Sequence, residues 1–160
     1  MEGWDEEIKA HIVWIWGGEM GFFKRGREGM LVITNKRLAF ITKTEMSYRV
    51  HDVYSKRQII RFKENQNIFR PIEEYKIIQL DKDLENDNNI QIRFNQIGNS
   101  NMEDKRWGTA LIVGFNTKEK LERYKFSIVK SWVKYPAKDP LQFYHVNWKP
   151  IINLINNNGS

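Results

Sequence analysis

Gly29-Met30-Leu31-Val32-Ile33-Thr34-Asn35-Lys36-Arg37-Leu38-Ala39-Phe40-Ile41-Thr42 reads as a β-hairpin closed on Asn35-Lys36. With those two residues as the turn, Thr34 faces Arg37, Ile33 faces Leu38, Val32 faces Ala39 and Leu31 faces Phe40. Side chains alternate along a strand, so Leu31, Ile33, Leu38 and Phe40 share one face, and their apolar character makes it the core face.

Outside this hairpin the chain alternates further strands with one amphipathic stretch. Ile8, Ala10, Ile12, Trp14 and Trp16 alternate with Lys9, His11, Val13 and Ile15, which predicts a long first strand covered on both faces. Gln58-Ile59-Ile60-Arg61-Phe62-Lys63 fits a strand over about 57–63, with Ile60 and Phe62 inward; a helix would also fit Ile59, Ile60 and Lys63. Tyr75–Asp81 and Asn89–Asn95 predict a second hairpin around the acidic and Asn-rich turn at 81–89, with Ile90, Ile92 and Phe94 inward. Thr109–Phe115 is the short apolar run of a buried strand. Asn116 with Glu119 forms a capping-box pattern, and Leu121, Tyr124, Ile128, Trp132 and Tyr135 recur at helical spacing up to Pro136, predicting a helix over about 117–135 with Trp132 buried. Leu141, Tyr144, Trp148, Ile151 and Ile155 keep helical spacing too. Asp139 as cap, Pro140 at the first position and the break at Pro150 give a pair of short helices packed on the outside of the domain, with a frayed polar end at 156–160.

Gly, alternating apolar residues, then Thr-Asn-Lys-Arg-Leu and a further apolar pair is a phrase that resembles the signature of the GRAM and bacterial pleckstrin-homology-like domains. The resemblance implies a mainly β fold: two packed, strongly bent antiparallel sheets of about seven strands, closed by a C-terminal α-helix that plugs one open end. On that reading residues 1–135 are the domain, with Leu121, Ile128 and Trp132 in its core, and 136–160 are a C-terminal helical extension. The resemblance is motif-specific over 29–42; elsewhere it rests on element order. The stretch 44–72 is longer than a minimal GRAM domain needs. Such domains are scaffolds with many partners, so the fold implies a binding module rather than a particular ligand.

Composition agrees with one folded domain. Of the 160 residues, 41% are apolar and 13% aromatic, including six Trp, enough for a core of its own. The absence of Cys excludes a disulfide framework and a thiolate zinc site. The N-terminus lacks the layout of a secretory signal, and no apolar run approaches the roughly 18 residues of a membrane span, so a cytoplasmic protein, at most peripheral to a membrane, is expected. The net charge of +6 is uneven: residues 1–23 carry −4, residues 24–70 carry +8 and residues 71–160 carry +2. A basic region of this kind attracts an anionic partner, or serves as a solvated face that keeps the protein soluble.

Catalytic patterns fail on particular residues. Gly21 and Gly26 have P-loop separation, but Arg27-Glu28 replaces the Lys and Ser/Thr. Asp81, Asp83, Glu85 and Asp87 alternate like a calcium loop, yet Asn86 stands where Gly is needed and Ile92 where the bidentate Glu is needed. His11, His51 and His145 have no ligand spacing, and no nucleophile elbow occurs. No enzyme, metal or cofactor is expected. The resemblance places Lys24-Arg25-Gly26-Arg27 in the loop between strands one and two, where lipid-binding relatives hold phosphoinositide headgroups; those relatives put the basic residues on the strands instead. Lys24, Arg25 and Arg27 are therefore the first anion-binding candidates. Lys56, Arg57, Arg61 and Lys63 form a second basic patch, with Arg70 beyond them and Tyr54, Phe62 and Phe69 interleaved, a composition that would serve single-stranded nucleic acid. A protein or peptide partner is the leading expectation, an anionic membrane surface the second and nucleic acid the third.

Overall fold

The computed structural model describes residues 6–21, 26–42, 51–64, 66–132 and 140–158. Eight strands form an antiparallel sheet: β1 (Ile8–Glu19), β2 (Arg27–Thr34), β3 (Arg37–Thr42), β4 (Ile90–Arg93), β5 (Ile97–Lys105), β6 (Gly108–Asn116), β7 (Leu121–Trp132) and β8 (Pro140–Phe143). Their order is β4-β3-β2-β1-β7-β6-β5, with β8 added on β7. Three helices accompany them, α1 (His51–Lys63), α2 (Ile77–Asp83) and α3 (Lys149–Asn158). The chain is mainly β, as its hairpin predicts, and the sheet is not closed. Its two end strands, β4 and β5, are joined by a 3-10 turn at Phe94–Gln96, and α3 packs against that turn and β5.

The β2–β3 hairpin has the predicted register: Leu31 opposes Phe40, Val32 opposes Ala39 and Ile33 opposes Leu38. Its turn is held by side chains. The Thr34 hydroxyl accepts from the backbone N–H of Lys36 and of Arg37, both at 3.0 Å, and the Asn35 carboxamide oxygen accepts from Glu7 N–H at 2.9 Å. Arg37 is buried and donates to both carboxylate oxygens of Glu6 (2.8 and 3.1 Å), to Asp81 (2.7 Å) and to Gln91. Burial works against its charge, but the hydrogen bonds of Asp81 and Glu6 hold the guanidinium above its usual range. The Thr-Asn-Lys-Arg phrase thus serves the fold.

Two apolar clusters flank the sheet. Leu31, Ile33, Leu38 and Phe40 lie in the larger one with Phe126 and Ile128 of β7, and Trp148, Ile151 and Ile155 join it from the C-terminal segment. Met30, Val32, Ala39 and Ile41, on the opposite face of the hairpin, are buried beneath Ile72, Tyr75 and Leu80. Every residue from Met30 to Thr34 and from Arg37 to Thr42 is buried because the segment carrying α2 covers the second face.

Four expectations are corrected. The strand at 57–63 is the last part of α1. Ile60 is 52% exposed instead of inward, while Gln58 is buried and Phe62 stacks on Tyr144 with ring centroids 4.1 Å apart. Tyr75–Asp81 is no strand: Tyr75 leads into α2, where Leu80 is buried and Ile78 is exposed. β4 pairs instead with β3, Phe40 opposing Ile90 and Leu38 opposing Ile92.

The helix at 117–135 is the strand β7. Asn116 ends β6 opposite Leu121, and the would-be cap is a hairpin turn in which Thr117 N–H donates to Lys120 C=O at 2.9 Å. Tyr124, Phe126 and Ile128 share a face at period two, and that face enters the main core. Helical and strand periods coincide at Tyr124 and Ile128; Phe126 between them decides for the strand, and pairing to both β1 and β6 satisfies the backbone. The side chain of Trp132 lies outside the described residues. Finally, the tail begins as β8, pairing Phe143 with Val129. Pro150 sits in the first turn of α3, where its missing N–H is tolerated, and the stripe packs into the core rather than on the outside. β5, with the polar sequence Ile-Gly-Asn-Ser-Asn-Met-Glu-Asp-Lys, had no apolar signal to announce it.

Candidate functional site

β1 supplies the scaffold of the site by changing partners along its length. It pairs with β2 from Ile8 to Gly17, but with β7 only from Ile15 onward. Between Ile12 and Ile15 the β1–β2 register shifts, two residues standing opposite Met30, and Trp14 takes a left-handed backbone conformation with φ 61°. Upstream of this bulge the edge of β1 that would face β7 presents its backbone groups to other elements. His11 N–H donates to Arg70 C=O at 2.9 Å. Val13 N–H donates to the Gln58 side-chain oxygen at 2.9 Å, and the Gln58 amide donates back to Val13 C=O at 2.9 Å. A single buried glutamine on α1 thereby completes the hydrogen bonding of a strand residue, as a neighbouring strand would.

These two anchors place α1 and the segment 68–74 on either side of β1's free edge. Between them lies a cleft of about 370 Å³ lined by His11, Arg57, Gln58, Arg61, Ile68 and Arg70, with Pro71 to Glu74 on the far side. Arg57 and Arg61, four residues apart, share a face of α1 beside the inward Gln58. Arg70 comes from the opposite wall, its carbonyl fixed by His11. Arg57 forms an ion pair with Glu74 at 3.3 Å. Among the described residues, no carboxylate lies within ion-pair distance of Arg61 or Arg70. Partial burial, then the like charges of Arg70 and Arg57, lower the pKa of Arg61 below the usual guanidinium range. Three cations around one cleft, Arg61 partly buried and Arg57 and Arg70 exposed at its walls, favour an oxyanion that can accept their planar forks.

The sequence-derived candidates fall unevenly around this feature. Arg57 and Arg61 line the cleft, while Lys56 and Lys63 are exposed on α1 and do not. Lys24 and Arg25 lie outside the described residues. Arg27 is exposed at the start of β2, opposite Gly17, and lines a separate depression of about 270 Å³ with Phe40, Asp87 and Tyr124. Of the aromatic rings interleaved with the basic patch, Phe62 stacks on Tyr144 and Phe69 packs 5.5 Å from Trp148, while the side chain of Tyr54 lies outside the described residues. Asp81 and Asp83 of the calcium-like run bind Arg37 and the Tyr75 hydroxyl. Among the described residues no group of three or more His, Asp or Glu is placed to hold a metal ion. None of the described helices is long and apolar enough to cross a membrane.

Sequence reasoning missed Gln58, Glu73 and Glu74, and counted Arg70 only as one more charge in a basic run. The i, i+4 spacing of Arg57 and Arg61 was the available signal; the juxtaposition with Arg70 depends on the bulge in β1. Compared with protein-family models and with curated proteins, the chain matches none.

Proposed function

We propose that this chain is a non-enzymatic, pleckstrin-homology-like interaction module that binds a protein or peptide partner. The observation that carries this reading is the strand order β4-β3-β2-β1-β7-β6-β5 with a C-terminal helix packed on β5 and on the turn between β4 and β5. That arrangement supports the helix-capped sheet implied by the motif at 29–42, with α3 taking the part expected of a helix at 117–135. The arginine cleft supplies a receptive surface on such a scaffold, concave, cationic and flanked by the apolar Ile68 and Ile72.

The test is selection of a displayed random-peptide library on the full chain, followed by titration of the enriched peptides in solution. The expected result is saturable, stoichiometric binding with each peptide recovered unchanged. Failure of every enriched peptide to bind in solution, or its chemical conversion by the chain, would contradict the proposal. An anionic membrane surface reached through Lys24, Arg25 and Arg27 is the competing reading. It would be favoured by sedimentation with phosphatidylserine vesicles that is lost when all three become Ala.

A further inference from the structure

Arg57, Arg61 and Arg70 line one cleft; Arg57 is ion-paired with Glu74, while among the described residues no carboxylate lies within ion-pair distance of Arg61 or Arg70. We infer that the cleft is a receptor for a phosphate monoester carried on a partner polypeptide, with Arg61 and Arg70 as its principal ligands. This rests on the interaction-module reading for its polypeptide context and adds the chemistry that is recognised.

Charge matching selects the ligand. After the Arg57–Glu74 pair is set aside, Arg61 and Arg70 bring two positive charges to the cavity and Glu73 one negative charge, and a phosphate monoester of about −1.5 to −2 at neutral pH matches the two arginines when a basic residue beside it meets Glu73. A carboxylate would balance one of them. A phosphate also offers three acceptor oxygens, enough for forks arriving from both α1 and the opposite wall, whereas a carboxylate offers two. The like-charge environment of Arg61 is the state that such a ligand would relieve.

Shape and the remaining charges select the source. The opening is a cleft between α1 and residues 68–74, and Glu73 and Glu74 stand on one wall. An anionic bilayer would meet those carboxylates along with the arginines. A peptide can instead place its phosphate against Arg61 and Arg70 and a flanking Lys or Arg against Glu73. The preferred ligand is therefore a phosphorylated side chain with a neighbouring basic residue. Gln58 and the Arg70 carbonyl, both bound to β1, hold the two walls at a fixed separation, so the site is formed before the ligand arrives.

The experiment is an NMR titration of the full chain, following the arginine Nε–Hε signals. The probes are inorganic phosphate, a phosphoserine peptide with an adjacent Lys, its unphosphorylated counterpart and phosphatidylinositol-phosphate vesicles. The Arg61 and Arg70 signals should shift saturably with inorganic phosphate and more tightly with the phosphopeptide, and the unphosphorylated peptide should leave them in place. Arg61→Gln with Arg70→Gln should weaken phosphopeptide binding by about tenfold or more, Arg61→Lys by a smaller factor, and the exposed control Lys63→Gln should leave it unchanged. The double variant should melt no lower than the parent in phosphate-free buffer, which separates loss of binding from loss of fold; if it does melt lower, the comparison of Arg61→Lys with the parent decides.

The inference is overturned by the absence of any saturable shift, by equal binding of the unphosphorylated peptide, or by full binding in the variants. Inorganic phosphate binding as tightly as the peptide, or vesicles binding where the peptide does not, would overturn the polypeptide source. Peptides that bind elsewhere without phosphate would leave the interaction module standing and remove this inference alone.

Discussion

Individual side chains carry much of the architecture, and Phe40 is the plainest case. It is 1% exposed, opposes Leu31 across the hairpin and meets the Phe126 ring at a centroid distance of 5.5 Å, so it joins the β2–β3 hairpin to β7. Phe40→Ala should lower stability by about 3–5 kcal/mol in chemical denaturation, and an unchanged midpoint would show the inward face to be misassigned. Gln58 matters by a different mechanism, since its side chain serves both polar groups of a buried backbone position. Gln58→Leu keeps the volume but deserts Val13 N–H and C=O, at about 1–3 kcal/mol for each group left unsatisfied. The same variant should loosen α1 against β1, seen as faster hydrogen exchange of the Val13 amide. The Phe40 role was legible in the sequence because register follows from the turn and alternation does the rest. Gln58 was not, since a polar residue on a half-apolar segment looks like surface until the bulge at Val13-Trp14 is known.

At the scale of elements, the segment carrying α2 converts a hairpin with one core face into a strand pair buried on both. Alternation alone assigned Leu31, Ile33, Leu38 and Phe40 inward, yet Met30, Val32, Ala39 and Ile41 are equally apolar, which already required a second cover. Tyr75 pins that cover: its hydroxyl donates to Asp83 at 2.5 Å, and burial, reinforced by Asp83, raises its pKa far above the usual phenol range. The unfolded phenol ionises near pH 10, while the folded one retains its proton. This contribution to stability is therefore full below about pH 10 and is lost as the pH rises beyond it. Tyr75→Phe should be less stable than the parent at neutral pH and should show a flatter fall of melting temperature above pH 10; parallel curves would contradict the buried phenol. The strand β7 shows why a strong helical pattern misled. Tyr124 and Ile128 fit both periods, whereas Leu121, expected in the core, falls on the opposite face of β7 and is 55% exposed; the choice was made by long-range pairing that a local pattern does not contain.

Considered whole, the molecule depends on β1 joining the N-terminal strands to β7 while yielding its upstream edge to α1 and Arg70. The β2–β3 pairing and the mainly β class were legible in the sequence; the place of β7 between β1 and β6 was not, and neither was the arginine cleft, which assembles residues 11, 57–61 and 70–74 around a backbone irregularity. The C-terminal segment completes the core rather than decorating it, with Trp148 fully buried and Ile151 and Ile155 beside it. Trp148→Ala should cost about 3–5 kcal/mol by the same denaturation measurement, and a neutral result would return the tail to the periphery. The central claim, one sheet zipped along β1 and β7 with α1 taking over above the bulge, is tested most directly by nuclear Overhauser contacts on the isotopically labelled chain. Cross-strand contacts are expected between Ile15 and Ile128 and between Gly17 and Phe126, together with contacts from the Gln58 side-chain amide to Val13. Sequential helical contacts running through residues 121–132, with none between β1 and that segment, would contradict it.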